Sequence, residues 1–167
     1  MALRLLVAVD GSEQSMGAVR HVRGVLSEGC VCHITLFHVS GIPAELLENQ
    51  GSVYTDYERQ SHKEMKRRRD SWEKKTRAAV ENEILKPARQ ALLDDSEESE
   101  STRILSRLEF EPHHRVASSI LWEAKRGEYD AVVVGRHGHS HLQEFLLGSV
   151  SSKVIHHLED QTVWVVE

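Results

Sequence analysis

Several signatures are missing from this sequence, and each absence removes a class of function. No Gly-Lys-Ser/Thr occurs, so a P-loop with its phosphate-binding lysine is excluded. The first apolar run leads into Asp10-Gly11-Ser12, not into three spaced glycines, which disfavours dinucleotide binding. Cysteine is scarce: only Cys30 and Cys32, one residue apart. That spacing fits neither a redox pair nor a zinc knuckle. On a strand the two thiols would share a face, as buried small hydrophobes. No apolar run is long enough for a membrane span or a secretory leader, since Leu3–Val9 is too short for either. A cytoplasmic location with no membrane partner is the expectation. A basic excess is also missing. The formal charge is −5 over 167 residues, so nucleic acid is not an expected partner.

What is present fits one globular domain over residues 1–167, without internal repeats. Leu3 to Val9 reads as a strand buried on both faces. Ser12 is placed to cap a helix. Met16, Val19, Val22 and Leu26 recur at helical spacing and predict a helix to about Glu28, stopped by Gly29. Val31 to Val39 reads as a second strand. Ser40 to about Thr55 is expected to be irregular, and Tyr57 to Leu93 to be a long polar helical region that Pro87 interrupts, as a kink or as two helices end to end. Asp94 to Ser101 is acidic and serine-rich and reads as a mobile loop. Ile104 to Phe110, Ala131 to Val134 and Thr162 to Val166 read as three further strands. Helices precede the last two: one begins around Glu111-Pro112-His113-His114 and ends near Gly127, and one carries Val150, Val154, Ile155 and Leu158. Alternating strands and helices predict an α/β fold, a doubly wound parallel five-stranded sheet with helices on both faces.

Function is written most clearly near the C-terminus. The strand Val132-Val133-Val134 runs into Gly135-Arg136-His137-Gly138, and nine residues later Gly148-Ser149 opens a helix. Glycines allow sharp turns and close approach of backbone to a ligand, and a helix N-terminus suits an anion such as phosphate. Ligands of open parallel sheets sit beyond the carboxyl ends of strands, where the winding reverses. Asp10, Val39 and Gly135 to Gly138 all follow such ends. They converge if the first and fourth strands are neighbours. Taken singly, Gly148-Ser149 could be only a helix cap. Ser149, Ser151 and Ser152 supply more hydroxyls than capping needs.

The pattern Gly135-x2-Gly138-x9-Gly148-Ser149 resembles the ATP-binding signature of the universal stress protein family. Val7-Ala8-Val9-Asp10-Gly11-Ser12-Glu13 is similar to that family's first strand and turn. Leu36-Phe37-His38-Val39 resembles its second strand, and Leu147-Gly148-Ser149-Val150-Ser151 the start of its last helix. The likeness is weak over a variable segment from about 40 to 101. The resemblance implies an adenine nucleotide alpha hydrolase-like sheet of order 3-2-1-4-5 and a homodimer that binds ATP or AMP, with a regulatory or sensor role in stress response. Carried over by position, Asp10 would lie beside phosphates, ribose or metal-bound water, and Val39 would hold adenine through its backbone. Val134, Gly135 and Gly138 would line the ribose and phosphate loop, and Gly148, Ser149, Val150 and Ser151 would cradle phosphates. Mg²⁺ could accompany the nucleotide. The terminal strand Thr162 to Val166 would meet its twin across a two-fold axis; the alternative is that a helix or loop covers it.

Other constellations stay open at this level. Arg136 or His137 is placed to contact phosphate. His137, His139 and His141 alternate, and with His113-His114 could bind zinc, but no carboxylate or cysteine completes a recognised spacing, so no metal site is assigned. Arg136-His137-Gly138-His139 lacks the first histidine of the nucleotidyl transferase tetrad and follows the wrong strand, which rejects that class. The long helix is basic early (Lys63, Lys66, Arg67, Arg68, Arg69, Lys74, Lys75, Arg77), against its macrodipole. That face is either solvated or turned to an anionic partner. No base–nucleophile pair is evident, so no catalytic residue is assigned. The alternatives to a nucleotide-binding regulator are a slow ATPase or adenylate-transfer enzyme using Asp10, and a nucleotide-free dimeric interaction module.

Overall fold

The computed structural model describes residues 2–26, 31–47, 55–93, 102–138 and 147–167. Cys30, Gly29, the acidic stretch Asp94–Ser101, His139 and His141 lie outside these described residues. Five strands, β1 (Leu3–Ala8), β2 (Cys32–Ile42), β3 (Thr102–Pro112), β4 (Ala131–Gly135) and β5 (Thr162–Val166), form one sheet of order β3-β2-β1-β4-β5. All four pairings are parallel. The order reverses between β1 and β4, whose register sets Leu5 opposite Ala131 and Val7 opposite Val133.

Alternation along the strands divides the core into two layers. Leu5, Val7, Val9, Ile34, Leu36, Ala131 and Val133 pack on one face with α1 (Glu13–Val25) and α3 (Lys86–Leu93). Leu6, Phe37, Val132 and Val134 pack on the other with α4 (Val116–Arg126) and α5 (Ser149–His157). Cys32 is a buried free thiol in the first layer. Burial on both sheet faces explains why β1 and β4 are nearly continuous apolar runs.

The helices show where local chemistry decides boundaries. Ser12 caps α1, its Oγ accepting the Ser15 N–H at 3.2 Å. α1 ends at Val25, with Leu26 as its C-cap, three residues short of the expected end. The long polar helix starts at Asp56 as α2 (Asp56–Val80) and continues through a π-helical turn, Glu81–Leu85, into α3. The expected interruption near Pro87 therefore takes the form of this π-helical turn between two α-helices set end to end. Pro87 has no N–H and would crowd the carbonyl four residues earlier, and the widened turn just before it absorbs that misfit, with the Lys86 N–H reaching the Glu81 carbonyl. Most of the basic residues of α2 are exposed; Arg69 pairs with Glu73 at 2.9 Å, and Arg77 lies 5.3 Å over the Phe110 ring.

Two expectations on the connections are corrected. Ser40 to Ile42 is not irregular: β2 continues through it, paired in register with Phe110 to Pro112 of β3. The edge partner is long enough to carry β2 past the core, and Ala44–Leu46 then forms a single 3-10 turn. Likewise Glu111 and Pro112 belong to β3 rather than to a helix start. His113–Arg115 makes a 3-10 turn that leads into α4 at Val116.

Candidate functional site

The turn after β1 is built from its own side chains. Asp10 Oδ1 accepts the Ser12 N–H at 2.9 Å and the Ser12 hydroxyl at 2.5 Å. The Asp10 N–H donates to Ser15 Oγ at 3.3 Å, and the Ser15 hydroxyl donates to the Ser12 carbonyl at 3.0 Å. Gly11 sits at φ 83°, in the left-handed region where a side chain is strained. The turn is thus locked, and the Asp10 carboxylate is held beyond the end of β1.

The loop after β4 meets this turn. A β-carbon on Gly135 would lie 2.9 Å from the carbonyl carbon of Gln14 and 3.0 Å from the Ser15 nitrogen, so only glycine lets β4 press against the first turn of α1. A β-carbon on Gly138 would lie 2.6 Å from Asp10 Oδ2. Asp10 and Gly138 therefore face each other across the crevice, as the convergence of the two turns requires. The Gly148 N–H donates to the Arg136 carbonyl at 2.9 Å, which brings the start of α5 back to the same loop.

α5 differs from α1 at its beginning. Gly148 is its N-cap and no side chain caps it. The first N–H groups of a helix have no partner within the helix, and Ser149, Val150 and Ser151 line the same cavity as Gly138. The Ser151 hydroxyl is committed elsewhere: it is buried and donates to the Gly135 carbonyl at 2.7 Å. Its side chain fastens α5 to the end of β4, leaving its backbone as the group available to a ligand.

These parts enclose a cavity of about 220 Å³. Asp10, Val39, Val134, Gly135, His137, Gly138, Gly148, Ser149, Val150 and Ser151 all line it, as read from the sequence. Arg136 does not. Its N–H donates to the Val166 carbonyl and its guanidinium pairs with Glu167, which turns the side chain toward the end of β5. Ala8, Val9, Ser15, Phe37, Val116 and Ile120 complete the wall. Sequence reading absorbed these into core strands and helices. Only their places, at the C-terminal ends of strands and on the sheet-facing side of α4, mark them as lining. The cavity is two-sided: Ala8, Phe37, Val39, Val116, Ile120 and Val134 make an apolar half. Asp10, Ser15, the glycines and the uncapped start of α5 make a polar half.

The family model described as the universal stress protein family matches residues 1–167. The chain belongs to the universal stress protein family. No curated protein matches the sequence. Among solved structures, one reported as a structure-based assignment of the biochemical function of hypothetical protein MJ0577 is 20% identical, covering 99% of this chain and 96% of that one with a TM-score of 0.66. Universal stress protein UspA from Lactobacillus plantarum is 16% identical over 99% and 97% of the two chains, with a TM-score of 0.63. A universal stress protein in complex with cAMP is 17% identical over 99% and 97%, with a TM-score of 0.56. At these identities the neighbours share the fold: the same single-domain parallel sheet over the whole chain.

The glycines of this family member therefore divide by role, and the division is measurable. Gly135→Ala sets a β-carbon against backbone that cannot swing aside, and should cost about 1–3 kcal/mol of stability. Chemical denaturation would read it as a lower midpoint with an unchanged slope. A midpoint equal to that of the parent chain would show that β4 and α1 do not need this approach.

Proposed function

We propose that the crevice between β1 and β4 binds an adenine nucleotide, ATP or AMP, and that the protein is a regulatory or sensor member of its family acting in stress response. The observation that carries this reading is the pairing of an apolar pocket with an uncapped helix N-terminus in one cavity. A base would lie among Phe37, Val39, Val116 and Ile120, with the Val39 backbone as its polar contact. Phosphates would take the N–H groups of Gly138, Ser149, Val150 and Ser151, where the partial positive charge at the start of α5 favours them. The solved complex of a universal stress protein with cAMP supports a nucleotide as the class of ligand.

Among the described residues, Asp10 is the one carboxylate lining the cavity. Facing phosphates, it fits either a ribose hydroxyl or the water shell of Mg²⁺, which keeps several waters and takes few protein ligands. When bound, Mg²⁺ would supply charge neutralisation of the phosphates. Among the described residues no lysine or arginine lines the cavity, and phosphoryl transfer draws on such cations for charge stabilisation. That favours binding over turnover. A location in the cytoplasm belongs to the same reading; no helix among the described residues is long and apolar enough to cross a membrane.

The reading includes a homodimer through Thr162–Val166. β5 is an edge of the sheet; Thr162 and Val165 are exposed along it, and Val163, Trp164 and Val166 half-buried. An edge strand offers unpaired backbone groups, and two-fold pairing satisfies them symmetrically.

Three outcomes are expected. Calorimetric titration should show ATP or AMP binding with one site per chain, weakened about tenfold or more in Gly138→Val, whose side chain displaces the Asp10 carboxylate, while the circular dichroism spectrum is retained. Single-turnover assays with labelled ATP should give negligible product. Absence of heat with ATP, ADP and AMP would leave the interaction-module reading, and turnover abolished by Asp10→Ala would make the protein an enzyme. Sedimentation should report a dimer that Val165→Lys converts to monomer; a parent chain that sediments as a monomer would refute the edge pairing.

A further inference from the structure

A second polar cleft lies at the opposite end of the sheet, beneath the C-terminal turn of α4. Its volume is about 510 Å³, and its lining includes Arg4, His33, Arg103, Arg107 and Arg126. Three of these stand in one row across the sheet. Register pairs Arg4 of β1 with His33 of β2, and His33 with Arg103 of β3. They share the face that carries Leu6 and Phe37, so all three project to the α4 side. Neighbouring strands are spaced so that Arg4 and Arg103 lie about 10 Å apart, with the imidazole between them. That is within reach of two guanidiniums closing on one small anion.

The cleft is built around a buried charge. Glu123 of α4 is fully buried, and its carboxylate accepts from Arg107, from Arg126 at 3.1 Å and from the Tyr129 hydroxyl at 3.0 Å. Burial pushes the Tyr129 phenol above its ordinary value of 10.0, which keeps it the donor in this bond. A buried carboxylate is tolerated only when paired, so Glu123 fixes Arg107 and Arg126 as one wall. Arg126 is held further over the Trp122 ring, 4.2 Å from its centre, and Arg4 over the Tyr129 ring at 5.9 Å.

Among the described residues, Arg4, Arg103, Arg107 and Arg126 line the cleft with the carboxylate of Glu123, and the Glu109 carboxylate lies close enough to act on the same Arg107–Arg126 pair. On the rim, the exposed Glu128 pairs with Arg4 at 3.3 Å, and Asp130 accepts the Arg4 backbone N–H at 2.7 Å. Among the described residues, neither Arg103 nor His33 has an ion-pair partner. Arg4 and Arg103 flank His33 in this row with no interleaved acid, and an anion above His33 would sit between the two guanidiniums.

We propose that this cleft is a second ligand site, for a tetrahedral phosphate group, held by Arg4 and Arg103 over His33 with the Arg107–Arg126 wall behind. It is separate from the nucleotide crevice and does not depend on it. Guanidinium suits phosphate because its planar fork donates two parallel bonds. The group can come from free phosphate or from a small organic phosphate monoester.

The test uses the full chain and amide NMR at fixed ionic strength. Inorganic phosphate and glycerol 3-phosphate are titrated separately into the parent chain, into Gly138→Val, and into the double variant His33→Gln with Arg103→Gln. Both substituted side chains of the double variant are exposed, so its fold should survive, and its amide spectrum reports that directly. Saturable shifts of the His33, Thr35 and Arg103 amides are expected, equal in the parent and Gly138→Val, and weakened about tenfold or more in the double variant. Tighter binding of glycerol 3-phosphate would identify an organic phosphate as the ligand class, and equal binding would identify free phosphate. Absence of saturable shifts at these amides, or shifts unchanged in the folded double variant, would overturn the proposal.

Discussion

Backbone approaching too closely for a β-carbon holds the candidate site together. Gly135 lets the end of β4 lie against the carbonyl of Gln14, and Gly138 lets the following loop face the Asp10 carboxylate. Neither approach survives the addition of a side chain without movement. Because β1 and β4 are neighbours where the strand order reverses, their two turns open toward each other. The self-bonded Asp10–Ser12–Ser15 turn fixes one lip. The Gly148 N–H on the Arg136 carbonyl and the Ser151 hydroxyl on the Gly135 carbonyl fix the other. Backbone donors set in advance lose little freedom when a ligand arrives.

One helix serves both ends of the sheet. The start of α4 gives Val116 and Ile120 to the apolar half of the crevice. Its last turns give Glu123 and Arg126 to the cationic cleft. Ile120 and Ala124 along the same helix pack on Leu6, Phe37 and Val132. Removing either arginine from Glu123 would leave a buried carboxylate short of partners, a change that costs several kcal/mol in other proteins. α4 is therefore pinned by apolar packing along its length and by charge at its end.

Much of this was legible in the residues, for reasons that are themselves physical. β1 and β4 read as buried strands because both faces are covered. Asp10, Gly138 and the start of α5 were legible because turns and caps demand particular residue types. Other features depended on partners far away in sequence. The extension of β2 through Gly41 comes from pairing with Phe110 to Pro112 of β3, which no local pattern announces. Pro87 announced an interruption of the long helix, but not that it would be a π-helical turn placed just before it. Arg136 looked like a phosphate contact from its place between glycines, yet Glu167 and Val166 draw it away. The row Arg4–His33–Arg103 appears only once three strands are set in register.

The central claim is that a nucleotide's base and phosphates occupy the two halves of the β1–β4 crevice together. A crystal structure determined at saturating ATP tests it most directly. The account predicts adenine against Val39 and Phe37, and phosphate oxygens within hydrogen-bond distance of the Gly138 and Ser149 N–H groups. A crevice without nucleotide under those conditions, or one with ATP bound elsewhere on the chain, would contradict it.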